Sequence, residues 1–275
     1  MVAATLVLML NLLYGYFSRE ELRHTLREQV TVLADNADAQ LVDAIENQAL
    51  QRLAGKPNAA LLIRRLAQTD SPASSDIRTL VNAVSETTAS LQAVDRIELF
   101  FPRAQMVVGS SGVRFLGAKK YAVSASSYED LTALYPEDFK WLRRVLPDDT
   151  GNSVAYLTFL RLYPGVFSEG GQPMLMVSVA EDNFHAQLRQ VLRSLDAADQ
   201  ILLINRDGVV WSAENEALVG TLLPADGFSA DVVPLPDGNR ARLAESPSAS
   251  GAWQYVIARQ SGRTDSNSLL SLWAV

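Results

Sequence analysis

Cysteine is absent from this chain and histidine nearly so, with two in 275 residues. The first absence excludes disulfides, thiol chemistry and a lipid-modified N-terminal cysteine. It assigns no compartment, because a chain without cysteine suits either side of a membrane. His24 and His185 stand about 160 residues apart, and neither has a partner at metal-ligand spacing. No zinc site is therefore expected, and each histidine is read as a surface or interface residue. Phosphate-cradling glycine loops are missing too, so nucleotide chemistry has no site. Gly109-Ser110-Ser111-Gly112 is not a nucleophile elbow and follows a hairpin strand without opening a helix, which reads as a turn. The acidic pairs Glu129-Asp130, Glu137-Asp138, Asp148-Asp149 and Glu181-Asp182 fall at helix starts or turns, where capping and dipole complementarity explain them. No catalytic constellation remains, no cofactor is implied, and the chain is read as a non-enzyme.

Basic residues are in the minority. With 24 Lys and Arg against 31 Asp and Glu, the net charge is −7, which argues against nucleic acid or an anionic membrane surface as a partner. The 48% apolar content builds proper cores, and the length fits two domains with extra segments. Charge is also missing from "VAATLVLMLNLLYGYF", residues 2–17. This sixteen-residue stretch reads as a slightly short transmembrane helix. A cleavable signal peptide is the rival, but no basic residue precedes the apolar core and "YGYFSREE" is a poor cleavage site. The closing "NSLLSLWAV" (267–275) turns apolar again, as a second transmembrane helix would at its start, or as a terminal strand.

From Ser18 to Ala54 there is neither glycine nor proline. Leu22, Leu26, Val30, Leu33, Ala37, Leu41, Ile45, Ala49 and Leu53 recur at spacings of three and four. The pattern predicts one amphipathic stalk helix of roughly 55 Å. A second helix is expected over 58–68, and a third from a cap at Ser75 or Asp76 to about residue 92. Pro136 with Glu137 and Asp138 predicts a helix near 136–146. Strands are expected at 153–163 and 173–180, followed by a helix over 181–195.

The chain also repeats itself. Sliding it by 103 positions lays "RIELFFPRAQMVVGSSGVRFLG" (96–117) on "DQILLINRDGVVWSAENEALVG" (199–220). Each copy runs apolar strand, polar turn, apolar strand, polar stretch, apolar-Gly stop. The second copy carries Asp207-Gly208 in its turn, a strong hairpin signal. Two last strands, near 240–245 and 252–259, close the second copy. Antiparallel strands interspersed with short helices give the α+β class.

The 2–17 span running into 18–54, the hairpin "IELFFPRAQMVVGSS" with its strand pair 153–180, and "ILLINRDGVVWS" together resemble a double Cache (dCache) sensor domain. The look is nearest to sensor regions of membrane-bound AraC-type transcription regulators of Gram-positive bacteria, with sensor kinases and chemoreceptors as further possibilities. The resemblance implies a transmembrane helix (1–17), a stalk (18–54), a membrane-distal PAS-like domain (55–180) and a connecting helix (181–198). A membrane-proximal domain (199–265) and the possible start of a second transmembrane helix (266–275) follow. It also implies an extracytoplasmic location for 18–265, a homodimer through the stalk, and a small-molecule ligand. The aromatic-Arg-x-Trp-Tyr motif of the amino-acid-binding subgroup is missing; "FKWLRR" (139–144) is a loose echo. The alternative is a secreted or membrane-tethered structural or binding protein without a small-molecule ligand.

Aromatic and arginine residues gather in the first copy. Arg161, Tyr156, Phe159, Tyr128, Trp141 and Arg103 are the candidate ligand contacts, since pockets combine aromatic walls with a few placed polar groups. Arg161 shares strand parity with Leu157 and Phe159, so an apolar face carries a cation able to clamp a carboxylate. Snorkelling of Arg161 to solvent and plain core packing of the aromatics are the competing readings. Trp211 and Trp253 are read as core.

Overall fold

The computed structural model describes residues 2–116, 140–147, 151–166, 171–223 and 232–261. The chain forms two compact units, Met1–Asp38 with Leu188–Val275, and Ala39–Gln187. The first helix thus belongs with the second hairpin copy.

In that unit, α1 (Val2–Ala37) accompanies a five-stranded antiparallel sheet. Its strands are β7 (Gln200–Ile204), β8 (Val210–Ala213), β9 (Val233–Pro234), β10 (Arg240–Pro247) and β11 (Gln254–Gln260), in the order β8-β7-β11-β10-β9. Strand parity sends Tyr255, Ile257 and Arg259 to the helix side, where Arg259 Nη2 donates to Gln29 Oε1 (3.0 Å) and the Tyr255 hydroxyl donates to Asp38 (2.8 Å). Leu26, Val30, Leu33 and Ala37 are buried along α1. The opposite face is closed by aliphatic packing of Leu202, Val256 and Leu243 with Leu218, Leu223 and Leu235.

No helix among the described residues is long and apolar enough to cross a membrane. The uncharged run 2–17 forms the opening turns of α1, with Leu13, Tyr14, Tyr16 and Phe17 exposed.

In the second unit the spine continues through two π-helical stretches, Asp38–Val42 (its first residue in the other unit) and Ala44–Gln48, into α2 (Ala49–Ala54). A uniform α-helix over 18–54 is therefore not what forms, and the spacing explains why. From Leu33 to Leu53 one buried row, Leu33, Ala37, Leu41, Ile45, Ala49 and Leu53, recurs every four residues. Four α-helical residues overshoot a full turn by about 40°, so such a stripe would wind off one face within a few turns. Wider π-turns absorb the excess, and Leu41, Ile45, Ala49 and Leu53 all remain buried.

Helices α3 (Pro57–Ala67) and α4 (Ser74–Ala89) follow. Pro57 suits the first helical turn, whose N–H needs no partner. The cap of α4 is not Ser75 or Asp76: the helix begins at Ser74, after Ala73, with no side-chain cap. Asp76 in its first turn instead receives Arg65 Nη1 at 3.0 and 3.2 Å.

The second unit's sheet has six antiparallel strands: β1 (Arg96–Phe101), β2 (Met106–Gly109), β3 (Gly112–Phe115), β4 (Lys140–Pro147), β5 (Ser153–Leu162) and β6 (Met174–Ala180). Their order is β3-β2-β1-β6-β5-β4. The inner four, β2-β1-β6-β5, match β8-β7-β11-β10 of the other sheet in order and direction. The helix expected near 136–146 is a strand where it is described. Lys140–Pro147 pairs residue by residue with β5, because Trp141, Arg143 and Val145 alternate with Leu142, Arg144 and Leu146. The acidic Pro136 opening that suggested a helix lies outside the described residues. Helix α5 (Glu181–Val191) follows β6.

Candidate functional site

Strand register divides the second unit's sheet into two unlike faces. Trp141, Phe159 and Arg161 share one face with Leu99, Phe101 and Val177. This face meets the π-helical spine. Trp141 Nε1 donates to Glu46 Oε1 at 2.7 Å, and Arg161 Nη1 donates to the Glu46 carbonyl oxygen at 3.0 Å. The Trp141 and Phe159 rings lie 5.3 Å apart at 47°. Two residues chosen from the sequence as ligand contacts, Trp141 and Arg161, thus converge on one spine residue, Glu46, and tie the sheet to it, while a third, Phe159, packs on the Trp141 ring. Arg161 is neither a solvent-snorkelling edge residue nor a cation facing the opposite surface. Arg143, on the same parity, holds Glu181 with two bonds of 2.7 and 2.9 Å.

Tyr156 belongs to the other face, with Arg96, Glu98, Arg114, Arg144, Thr158 and Ser178. The inner half of this face is apolar: Phe100, Val107, Leu160, Met174 and Met176 pack together. The outer half is charged yet buried. Arg96 is 5% exposed, Glu98 2% and Arg144 9%. Three guanidiniums surround the Glu98 carboxylate at 4.0 Å (Arg96 Nε), 3.9 Å (Arg114 Nη1) and 3.7 Å (Arg144 Nη1), contacts longer than hydrogen bonds. The Arg96 guanidinium carbon lies 5.7 Å from the Tyr156 ring centre, within cation–π range. The Thr158 and Ser178 hydroxyls are 2.9 Å apart on adjacent strands. Arg96 Nη1 is buried and meets no hydrogen-bond acceptor among the described residues. Burying charge in this way costs several kcal/mol per ion unless partners compensate, so such a cluster is not packing by default.

Sequence reasoning missed Arg96, Glu98 and Arg144. A signal was available in "RIELFF": in a strand, Arg96 and Glu98 fall on the same side as Phe100, which puts charge on a face that is otherwise apolar. The remaining candidates sit elsewhere. Arg103, in the β1–β2 turn, holds the exposed Asp70 through Nε (2.7 Å) and Nη2 (3.2 Å); these bonds keep the Asp70 carboxyl below its usual range. Tyr128 lies outside the described residues. His24 is exposed beside Glu28 (3.5 Å), whereas His185 is buried edge-on to Phe184. No group of three or more His, Asp or Glu capable of holding a metal occurs among the described residues.

The ligand-binding domain of the Pseudomonas fluorescens chemoreceptor CtaA in complex with L-serine aligns over 88% of this chain and 98% of that one, with a TM-score of 0.54 at 16% identity. The chain has the fold of a receptor sensory domain. The ligand-binding domain of the Pseudomonas aeruginosa amino acid chemoreceptor PctB, in complex with L-Arg, aligns over 91% of this chain and 92% of that one (TM-score 0.53, 16% identity). The sensor domain of the Vibrio cholerae histidine kinase DctB aligns over 90% of this chain and all of the other (TM-score 0.53, 11% identity). No family model and no curated protein matches the sequence.

Proposed function

We propose that this chain is the extracytoplasmic ligand-sensing region of a bacterial transmembrane signalling receptor, binding a small molecule in the unit Ala39–Gln187. The observation that carries the reading is the contrast between the two sheets. In the unit holding α1, the sheet face away from the helix is filled by the chain's own aliphatic side chains. In the other unit, the corresponding face carries buried arginines, a carboxylate, two hydroxyls and an aromatic ring. Convergent polar groups beside an apolar floor are what a small-molecule site requires.

The chemoreceptor and kinase sensory domains that share this fold support a sensory role and an extracytoplasmic location. In the same proposal, the uncharged run 2–17 anchors the chain to a membrane, the spine helix pairs with a second copy, and the module has no catalytic activity. A transcription regulator of the AraC type, a sensor kinase and a chemoreceptor are the outputs compatible with it.

The experiment is a thermal-shift screen of the chain against metabolites. A compound that binds only the folded state raises the melting temperature by mass action. A broad library that produces no shift would leave a structural tether as the better description.

A further inference from the structure

The charged face specifies a ligand class, and the following rests on the sensing reading above. Arg96 opens β1 and is buried at its root, with Ser178 as its cross-strand partner and Thr158 one strand further on. A guanidinium buried to this degree with an Nη1 lacking any acceptor among the described residues is costly unless something completes its hydrogen bonds. A carboxylate does so well, because its two oxygens match the guanidinium fork. The Thr158 and Ser178 hydroxyls each have capacity beyond their mutual bond, and the Tyr156 ring walls the Arg96 plane. An ammonium group finds the opposite environment. The carboxylate that the described part of this face presents is Glu98, and three guanidiniums already lie within 4.0 Å of it. A ligand cation brought to Glu98 would sit among like charges, which costs affinity at close range in a desolvated site.

We propose that Arg96 anchors the carboxylate of a small organic acid on the face formed by β1, β5 and β6, and that this site does not require a ligand ammonium group. Arg96, rather than Arg161, is the anion-binding cation.

The test measures binding to the full chain by calorimetry, with sodium propionate and sodium succinate as carboxylates, L-alanine as the zwitterion and sodium sulfate as an inorganic anion. The expected result is tighter binding of at least one carboxylate than of L-alanine or sulfate. Arg96→Gln should weaken it at least about tenfold, as expected for loss of a charge-assisted hydrogen bond, and Arg96→Lys should weaken it less. The wild-type ligand series needs no variant, so a folding defect in Arg96→Gln does not spoil the test. Tighter binding of L-alanine, equal binding of sulfate, or unchanged affinity in a folded Arg96→Gln protein would each overturn the inference. If a zwitterionic or neutral metabolite binds instead, or none of these probes binds, this inference falls; the sensing reading falls only if the metabolite library gives no thermal shift either.

Discussion

Gln105 and Gly208 hold the same position in two copies of one hairpin turn. Each donates its backbone N–H to the carbonyl three residues earlier, Gln105 to Pro102 (3.3 Å) and Gly208 to Asn205 (3.0 Å). Each has a left-handed backbone, φ +46° and +78°, and they are separated by the 103-residue period. A side chain at such a φ costs about 1 kcal/mol or more. Gly208→Ala should therefore destabilise by about 1 kcal/mol, since an added Cβ meets only ordinary contacts, Leu222 Cδ1 at 3.6 Å being the nearest. Gln105→Gly should change stability by less than about 0.5 kcal/mol: the relief is offset by a more flexible unfolded chain and the lost Gln105 Nε2 bond to Pro102 (2.6 Å). Urea midpoints of the two variants check the asymmetry.

Trp141→Phe keeps a ring against Phe159 but removes the bond to the Glu46 carboxylate. A hydrogen bond to a charged group contributes about 2 kcal/mol, and a loss of that size is expected in denaturant unfolding. Arg161→Ala should likewise lower stability. A stable Arg161→Ala protein that had lost carboxylate binding would return Arg161 to the ligand site.

Arg259 holds the buried Asp199 with Nε at 3.0 and 3.1 Å and Nη2 at 2.7 Å. Arg259→Met strands that carboxylate and should cost about 3 kcal/mol. Adding Asp199→Asn to Arg259→Met should recover part of the loss, and a double-mutant cycle measures the coupling.

Asp38 gives a pH prediction. Burial raises its pKa in the folded chain, against the lowering effect of bonds from the Ala249 N–H and the Tyr255 hydroxyl. A carboxyl with a raised folded pKa stabilises most in its protonated form, below the unfolded value, and that contribution is lost as pH rises through the folded value. Asp38→Asn removes the titration. The melting temperature of the variant relative to the parent should rise between about pH 4 and about pH 7. A constant difference across that range would mean that Asp38 titrates normally.

What the sequence made legible was local. The "NRDG" turn forms where its residues place it: Asn205 Oδ1 accepts from the Asp207 and Val209 N–H groups, and Gly208 supplies the left-handed step. The spine's four-residue spacing was visible, but the π-turns that keep it on one face follow only from the burial of Leu41, Ile45 and Ala49. Strand parity correctly grouped Phe159 with Arg161. Parity alone does not say which face a helix will cover, and that choice turned Trp141, Phe159 and Arg161 to the spine side, with Trp141 and Arg161 bonded to Glu46. Arg96 and Glu98 share parity with Phe100, but their burial depends on partners such as Arg144, 46 positions from Glu98 in the chain. The β4 strand was obscured by the helix-like Pro136-Glu137-Asp138 start upstream of it.

The most direct test of where the ligand binds uses methionine methyl NMR. Met174 and Met176 lie on the charged-and-apolar face of the second unit's sheet, Met106 lies on its helix-side face, and Met9 belongs to α1 in the other unit. With the chain's five methionines methyl-labelled, titration with the tightest-binding compound should shift the Met174 and Met176 signals and leave Met106 and Met9 nearly in place. Shifts confined to Met106 or Met9, with Met174 and Met176 unmoved at saturation, would contradict a ligand site on that face.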